Sequence, residues 1–204
     1  MINPADPNNS DTNNAARRSF LRTSAVAAAS LVLSRLGFAS AQGSAAAKTA
    51  ALPSAMELAV NLELAAPSGY RYERPYVAVY IEDAQGKLVR TVSLWAQTSR
   101  RGQRYLSDLR RWFSESGGAA LLPTATSPTR NPGKYSLVWD GKTDKNAQAP
   151  QGEYYVCVEA ARQDGPYGLV REKVTLGAAP LKKALDTSVN PDLASVSLDY
   201  RKKA

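Results

Sequence analysis

Between Trp139 and Ala160 the chain reads WDGKTDKNAQAPQGEYYVCVEA, and its first eight residues carry four oxygen-bearing side chains, Asp140, Thr143, Asp144 and Asn146. Asp and Asn at this density suit a hard cation such as calcium, which takes about six to eight oxygen ligands. The spacing departs from the helix-flanked calcium loop, whose ligands alternate and close on a Glu about twelve positions along. Asp140-Gly141, Pro150 and Gln151-Gly152 are also turn formers. Two readings follow. One is a metal held by Asp140, Asp144 and Asn146; the other is a hairpin whose Asp and Asn side chains cap their own turns. The hairpin accounts for every residue without a metal.

A second cluster is cationic. Arg100, Arg101, Arg104, Arg110 and Arg111 surround the segment RYLSDLRRWF. Guanidinium groups bind carboxylates and phosphates through paired hydrogen bonds, so five of them around one short element offer an anion-binding or partner-binding edge. The plain alternative is a solvated charged face. Other chemistries are excluded by what is missing. The chain has no histidine, which removes Ser–His and Cys–His catalysis and every histidine-containing metal site. Cys157 is the sole cysteine, so no intramolecular disulfide forms; its alternating context, YYVCVEA, predicts a small buried thiol. There is no phosphate loop and no close pair of carboxylates on a helix. The expectation is therefore a protein that is not an enzyme and carries no cofactor.

The elements that must position these residues read as strands. The segments 56–64, 75–83, 86–95, 134–140, 152–162, 167–176 and 193–200 each alternate at period two. About seven short strands with turn-rich connections predict an all-β, immunoglobulin-like antiparallel β-sandwich. DAQG (83–86) is a turn between the second and third strands. Trp139, at the end of its strand, is expected in the core. One segment breaks the period. Tyr105, Leu106, Leu109, Trp112 and Phe113 form the stripe of a short amphipathic helix laid on the core. Residues 114–132 and 177–192 read as irregular connections.

The N-terminus has a different character. Arg17 and Arg18 precede a weakly apolar run from Ala25 to Leu33 and a small-residue cleavage site at Ala39-Ser40-Ala41. The run is shorter than the roughly 20 apolar residues that span a bilayer. The order matches a twin-arginine signal, an address read by a receptor. The expected organisation is a signal peptide over 1–41, a flexible leader over 42–55 and one domain over 56–204. The twin-arginine translocase would be the partner in export, the location periplasmic, and the mature chain free of transmembrane segments. Losing four arginines and two aspartates with the signal lowers the net charge from +8 to +6, so the mature chain stays basic. No nucleic-acid motif accompanies that charge.

The Trp139 hairpin, with Trp-Asp-Gly, a following Asp and Pro-Gln-Gly-Glu-Tyr, is similar to the hairpin of immunoglobulin-like domains, including the one in flagellar hook-capping proteins. Together with RPYVAVYIEDAQGKLVRTVSLW, RYLSDLRRWF and ASVSLDYR it resembles the predicted periplasmic family called domain of unknown function 2271, over about residues 56–200. That resemblance implies a periplasmic β-sandwich, often encoded near membrane-anchored redox proteins and flavin transferases, and brings no enzymatic activity. It also bears on TSPT, Thr126 to Thr129. Relatives often carry Ser-Gly-Ala-Thr there, similar to the acceptor motif for covalent flavin mononucleotide (FMN). Thr129 would be the acceptor in an electron carrier, yet Ser127 and Pro128 replace the Gly and Ala, and Pro128 stiffens the backbone that a transferase must thread.

Overall fold

The computed structural model describes residues 49–66, 72–118 and 124–203. The segment 1–41, with Arg17 and Arg18, lies outside the described residues. Among the described residues nine strands form: β1 (Met56–Leu64), β2 (Tyr76–Asp83), β3 (Leu88–Trp95), β4 (Thr126–Ser127), β5 (Gly133–Trp139), β6 (Gly152–Ala161), β7 (Tyr167–Leu176), β8 (Leu181–Leu185) and β9 (Leu193–Lys202). They build two sheets, in the orders β5-β1-β9-β8 and β4-β3-β2-β6-β7. Every pairing is antiparallel except the short β3–β4 contact. The expected sandwich is present, with two strands more than the seven read from period two. β4 is only two residues long, and β8, LKKAL, is an edge strand whose lysines interrupt any clean alternation.

Alternation explains the main core. Leu58, Val60 and Leu62 of β1 face Val77, Val79 and Ile81 of β2 and Val156 and Val158 of β6, all buried in one cluster. Trp139 closes one end of it. Its ring is 2% exposed, packs edge-on against Tyr154 with centroids 5.6 Å apart, and donates its indole N–H to the Lys142 carbonyl at 2.7 Å. The β2–β3 turn forms where DAQG predicts. Asp83 Oδ1 accepts the amides of Gln85 and Lys87, and Gly86 takes φ +81°, which glycine adopts without a steric penalty.

Part of the expected leader is docked. Leu52 is buried and donates its amide to the Ala149 carbonyl, and Ala51 bridges Pro150. An apolar side chain that reaches the end of the core holds these residues against the Trp139 hairpin.

The opposite phase of β2 and β6 is covered as well. Tyr76, Ala78, Tyr80, Cys157 and Ala161 are buried in a second cluster with Leu106, Leu109 and Trp112. Leu106 comes from a 3-10 helix, Gly102–Asp108, Trp112 from a short α-helix, α1, Arg110–Glu115, and Leu109 from the joint between them. Of the expected helical stripe Leu106, Leu109 and Trp112 are buried and Tyr105 and Phe113 half-buried, but the helix is broken at Leu109, with φ −80° and ψ +71°.

Candidate functional site

The break at Leu109 has a physical cause in the sheet below. In an unbroken α-helix the amides of Arg111 and Trp112 would bond to the carbonyls of Ser107 and Asp108, four residues back. Here they instead donate to Glu159 of β6, at 2.9 and 2.8 Å. Leu109 supplies no side-chain cap, so a carboxylate 48 and 47 residues along from the two orphan amides satisfies them and complements the positive end of the helix. Tyr80 donates its hydroxyl to the same carboxylate at 3.1 Å.

A second carboxylate lies beside the first. Glu82 of β2 is completely buried and accepts two bonds from Arg111, Nε to Oε1 at 2.6 Å and Nη2 to Oε2 at 2.9 Å. Arg171 of β7 donates Nε to Oε2 at 2.9 Å and stacks 3.3 Å over the Tyr155 ring. The hydrogen bonds to Glu82 hold the Arg111 guanidinium above its ordinary range. Burial pushes the Tyr80 hydroxyl and the Cys157 thiol up, so Cys157 is a sealed thiol and no nucleophile.

The five arginines therefore divide. Arg111 turns inward, and the anion it holds is Glu82 of the same chain. Arg100, Arg101, Arg104 and Arg110 stay exposed, and none of them makes an ion pair among the described residues. Arg110 lies 4.4 Å from the centroid of the Tyr167 ring. It borders a hollow of about 230 Å³ that also touches Tyr105, Asp108, Arg162 and Tyr167. That volume is below the roughly 300–1,000 Å³ of small-molecule sites.

Thr129 is half-buried beside a wider, open depression of about 390 Å³ lined by Tyr72, Arg74, Gln97 and Asn131. Just before it, Thr126 and Ser127 pair with Leu94 and Trp95, so the segment TSPT begins as part of a sheet edge.

The Asp/Asn cluster is a set of turns. Asp140 Oδ1 accepts the Lys142 amide at 3.1 Å, and Asp144 Oδ1 accepts the Thr91 amide at 3.3 Å. Asn146 takes φ +60° and donates its amide to the Thr143 carbonyl. Among the described residues no group of three or more acidic, His or Cys side chains is placed to hold a metal ion. The side chains of Asp140 and Asp144 are engaged separately, one in its own turn and one on β3.

Fold and site together describe a three-layer body: two sheets, with a helical layer pinned on one of them by buried carboxylates and edged with free guanidinium groups. The chain belongs to the DUF2271 family, described as a predicted periplasmic protein, whose family model matches residues 57–194. No curated protein and no solved structure matches it. No helix among the described residues is long and apolar enough to cross a membrane.

Proposed function

We propose that this chain is a periplasmic binding or accessory protein, exported by the twin-arginine route, that works by docking an acidic partner protein on its helical layer. The observation that carries this reading is the set of four exposed arginines, Arg100, Arg101, Arg104 and Arg110, without an acidic partner among the described residues, on a layer fixed from beneath. Charge of one sign on a firm surface steers and orients a complementary partner. The hollow at Arg110 is lined by Asp108 and Asp164 as well, and these carboxylates oppose an enclosed small anion there. The groups with the chemistry for catalysis are otherwise engaged: Glu82 and Glu159 are saturated with donors and Cys157 is sealed. A periplasmic or membrane-anchored redox protein with an acidic docking face fits the family resemblance.

A poly-glutamate peptide tests the surface. Changing the four arginines to glutamine should weaken its binding by at least ~10-fold, one charge-assisted contact or more. Changing Lys145, Lys182, Lys202 and Lys203 to glutamine removes the same charge elsewhere and should weaken it far less. Equal losses would reduce the effect to net charge and sink the reading.

A second reading rests on the depression at Thr129, which falls within the volume range of small-molecule sites. There the chain would be an electron carrier with FMN attached through the Thr129 hydroxyl. The paired backbone of Thr126–Ser127 and the ring of Pro128 oppose entry of this segment into a transferase. Intact mass of protein matured beside an active flavin transferase separates the two readings.

A further inference from the structure

The helical layer has its own buried cluster, and that cluster shares no side chain with the core between the sheets. Three buried side chains, Leu106, Leu109 and Trp112, hold it by apolar contact, with half-buried Tyr105 and Phe113 packed beside them. Its remaining attachments are polar: Glu159 to the α1 amides, Glu82 to Arg111, Trp112 Nε1 to Thr91 Oγ1 at 3.0 Å, and the Tyr76 hydroxyl to the Gly102 carbonyl at 2.9 Å. The approach, Gln97 to Arg101, is exposed. The exit runs through Gly117 and Gly118 at φ +73° and +69°, two adjacent residues that tolerate large backbone rotation.

We propose that residues 97–118 form a strap that opens from the outer face of β2 and β6 while the sandwich stays folded, with Glu82 and Glu159 as its latch. Proteins open in cooperative pieces whose free energies range up to the global value, and a piece with few apolar contacts of its own opens first. The latch is built for release. When Arg111 leaves, Glu82 keeps its bond to Arg171, a residue of the sheet, so its charge is not stranded. When the α1 amides leave, Glu159 meets water and retains Tyr80 beside it. Opening uncovers Tyr80, Cys157 and Ala161 and disperses the exposed arginines, so the latch governs whether the arginine surface exists. That last consequence rests on the binding reading; the strap itself does not.

Cys157, the sole cysteine, lies beneath the strap at 0% exposure and reports its opening without any partner present. The full mature chain is labelled with N-ethylmaleimide in increasing urea below the unfolding transition. The expected labelling rate depends on urea with well under half the slope of global unfolding, because little surface is exposed. Glu159→Gln and Arg111→Gln should each raise the rate by ~10-fold or more, the effect of one lost charge-assisted hydrogen bond. Leu58→Ala, in the other core, should lower the urea midpoint and leave the low-urea rate unchanged. Labelling that carries the full global slope, or that rises with Leu58→Ala and ignores both latch variants, overturns the strap. If a latch variant does not fold, the wild-type slope and Leu58→Ala still decide. Loss of poly-glutamate binding plays no part in this outcome, so the strap and the docking surface stand or fall separately.

Discussion

Replacing Trp139 with alanine removes the largest side chain at one end of the sandwich and tests the phase of β5 directly. The ring is 2% exposed, and large-to-alanine changes at such sites cost about 3–5 kcal/mol, transfer and cavity together. Two local contributions lie within that figure: the edge-on contact with Tyr154, about 0.5–1.5 kcal/mol, and the indole bond to the Lys142 carbonyl, about 1 kcal/mol. Urea unfolding followed by far-ultraviolet circular dichroism reads the loss. With a slope of about 2 kcal/mol per molar urea, the midpoint should fall by about 1.5–2.5 M. Trp139→Phe keeps one ring and drops the indole bond, and should cost about half as much. Val138→Ala is the control, since Val138, on the other phase, is 47% exposed and its truncation should change stability by no more than about 0.5 kcal/mol. A loss below about 1 kcal/mol for Trp139→Ala, or equal losses at the two positions, would refute the assigned faces.

Four further outcomes are expected. Glu82→Gln leaves Arg111 and Arg171 facing a neutral amide and should cost about 3–5 kcal/mol, whereas Glu82→Leu combined with Arg111→Met and Arg171→Met should recover most of the stability; urea midpoints of both variants decide. Burial holds the hydroxyls of Tyr154 and Tyr167 up to about 12, from an ordinary value of 10.0. Their contribution is therefore complete below pH 10 and lost as pH rises toward 12, and ultraviolet titration should show tyrosinate appearing together with unfolding in that window. Arg17→Lys with Arg18→Lys should leave precursor in the cytoplasm, since a twin-arginine receptor reads guanidinium pairs and not charge alone; fractionation and immunoblotting check it. Any flavin mass increment should vanish in Thr129→Ala and persist in Thr126→Ala, and none is expected with Pro128 in place.

How much of this could be read from the residues depends on what each signal encodes. Period two located β1 and β7 to the residue and the other long strands within about two, because each has one face in the inter-sheet core. Glu82 and Glu159 stand on the opposite phase, where a two-layer sandwich would leave them in solvent. Only the third layer buries them, and no local pattern announces that RYLSDLRRWF lies over β2 and β6 instead of at an end of the sandwich. The arginines were visible as a group, but which one turns inward depends on a carboxylate 29 residues earlier. Arg171 gave no sign of its part, standing on an ordinary alternating strand. β8 was missed because an edge strand with two exposed lysines has no periodicity to show, and such lysines are a common guard against edge pairing. The Asp/Asn cluster was legible in part: Asp140 caps its own turn, which is local, whereas Asp144 accepts the Thr91 amide of β3, which no local pattern announces.

The two buried carboxylates also explain why the helical layer has one position and not several. Leu106, Leu109 and Trp112 could slide over the small and aromatic side chains of β2 and β6 with little change in buried area, because apolar contact is non-directional. Glu159 removes that freedom by accepting two consecutive amides at one helix end, and Glu82 does so again by a two-point grip on Arg111. Fixing register is the best-attested use of buried charge, which in stability alone gains little over an apolar replacement. On this argument the triple variant at Glu82, Arg111 and Arg171 should recover most of the wild-type stability and yet hold the layer less firmly, with Glu159 as its one remaining carboxylate anchor. Its amides from Gly102 to Ser116 should exchange with solvent far faster while those of β1 and β9 do not. A triple variant whose layer stays fully protected would show that apolar packing by itself sets the position of the exposed arginines.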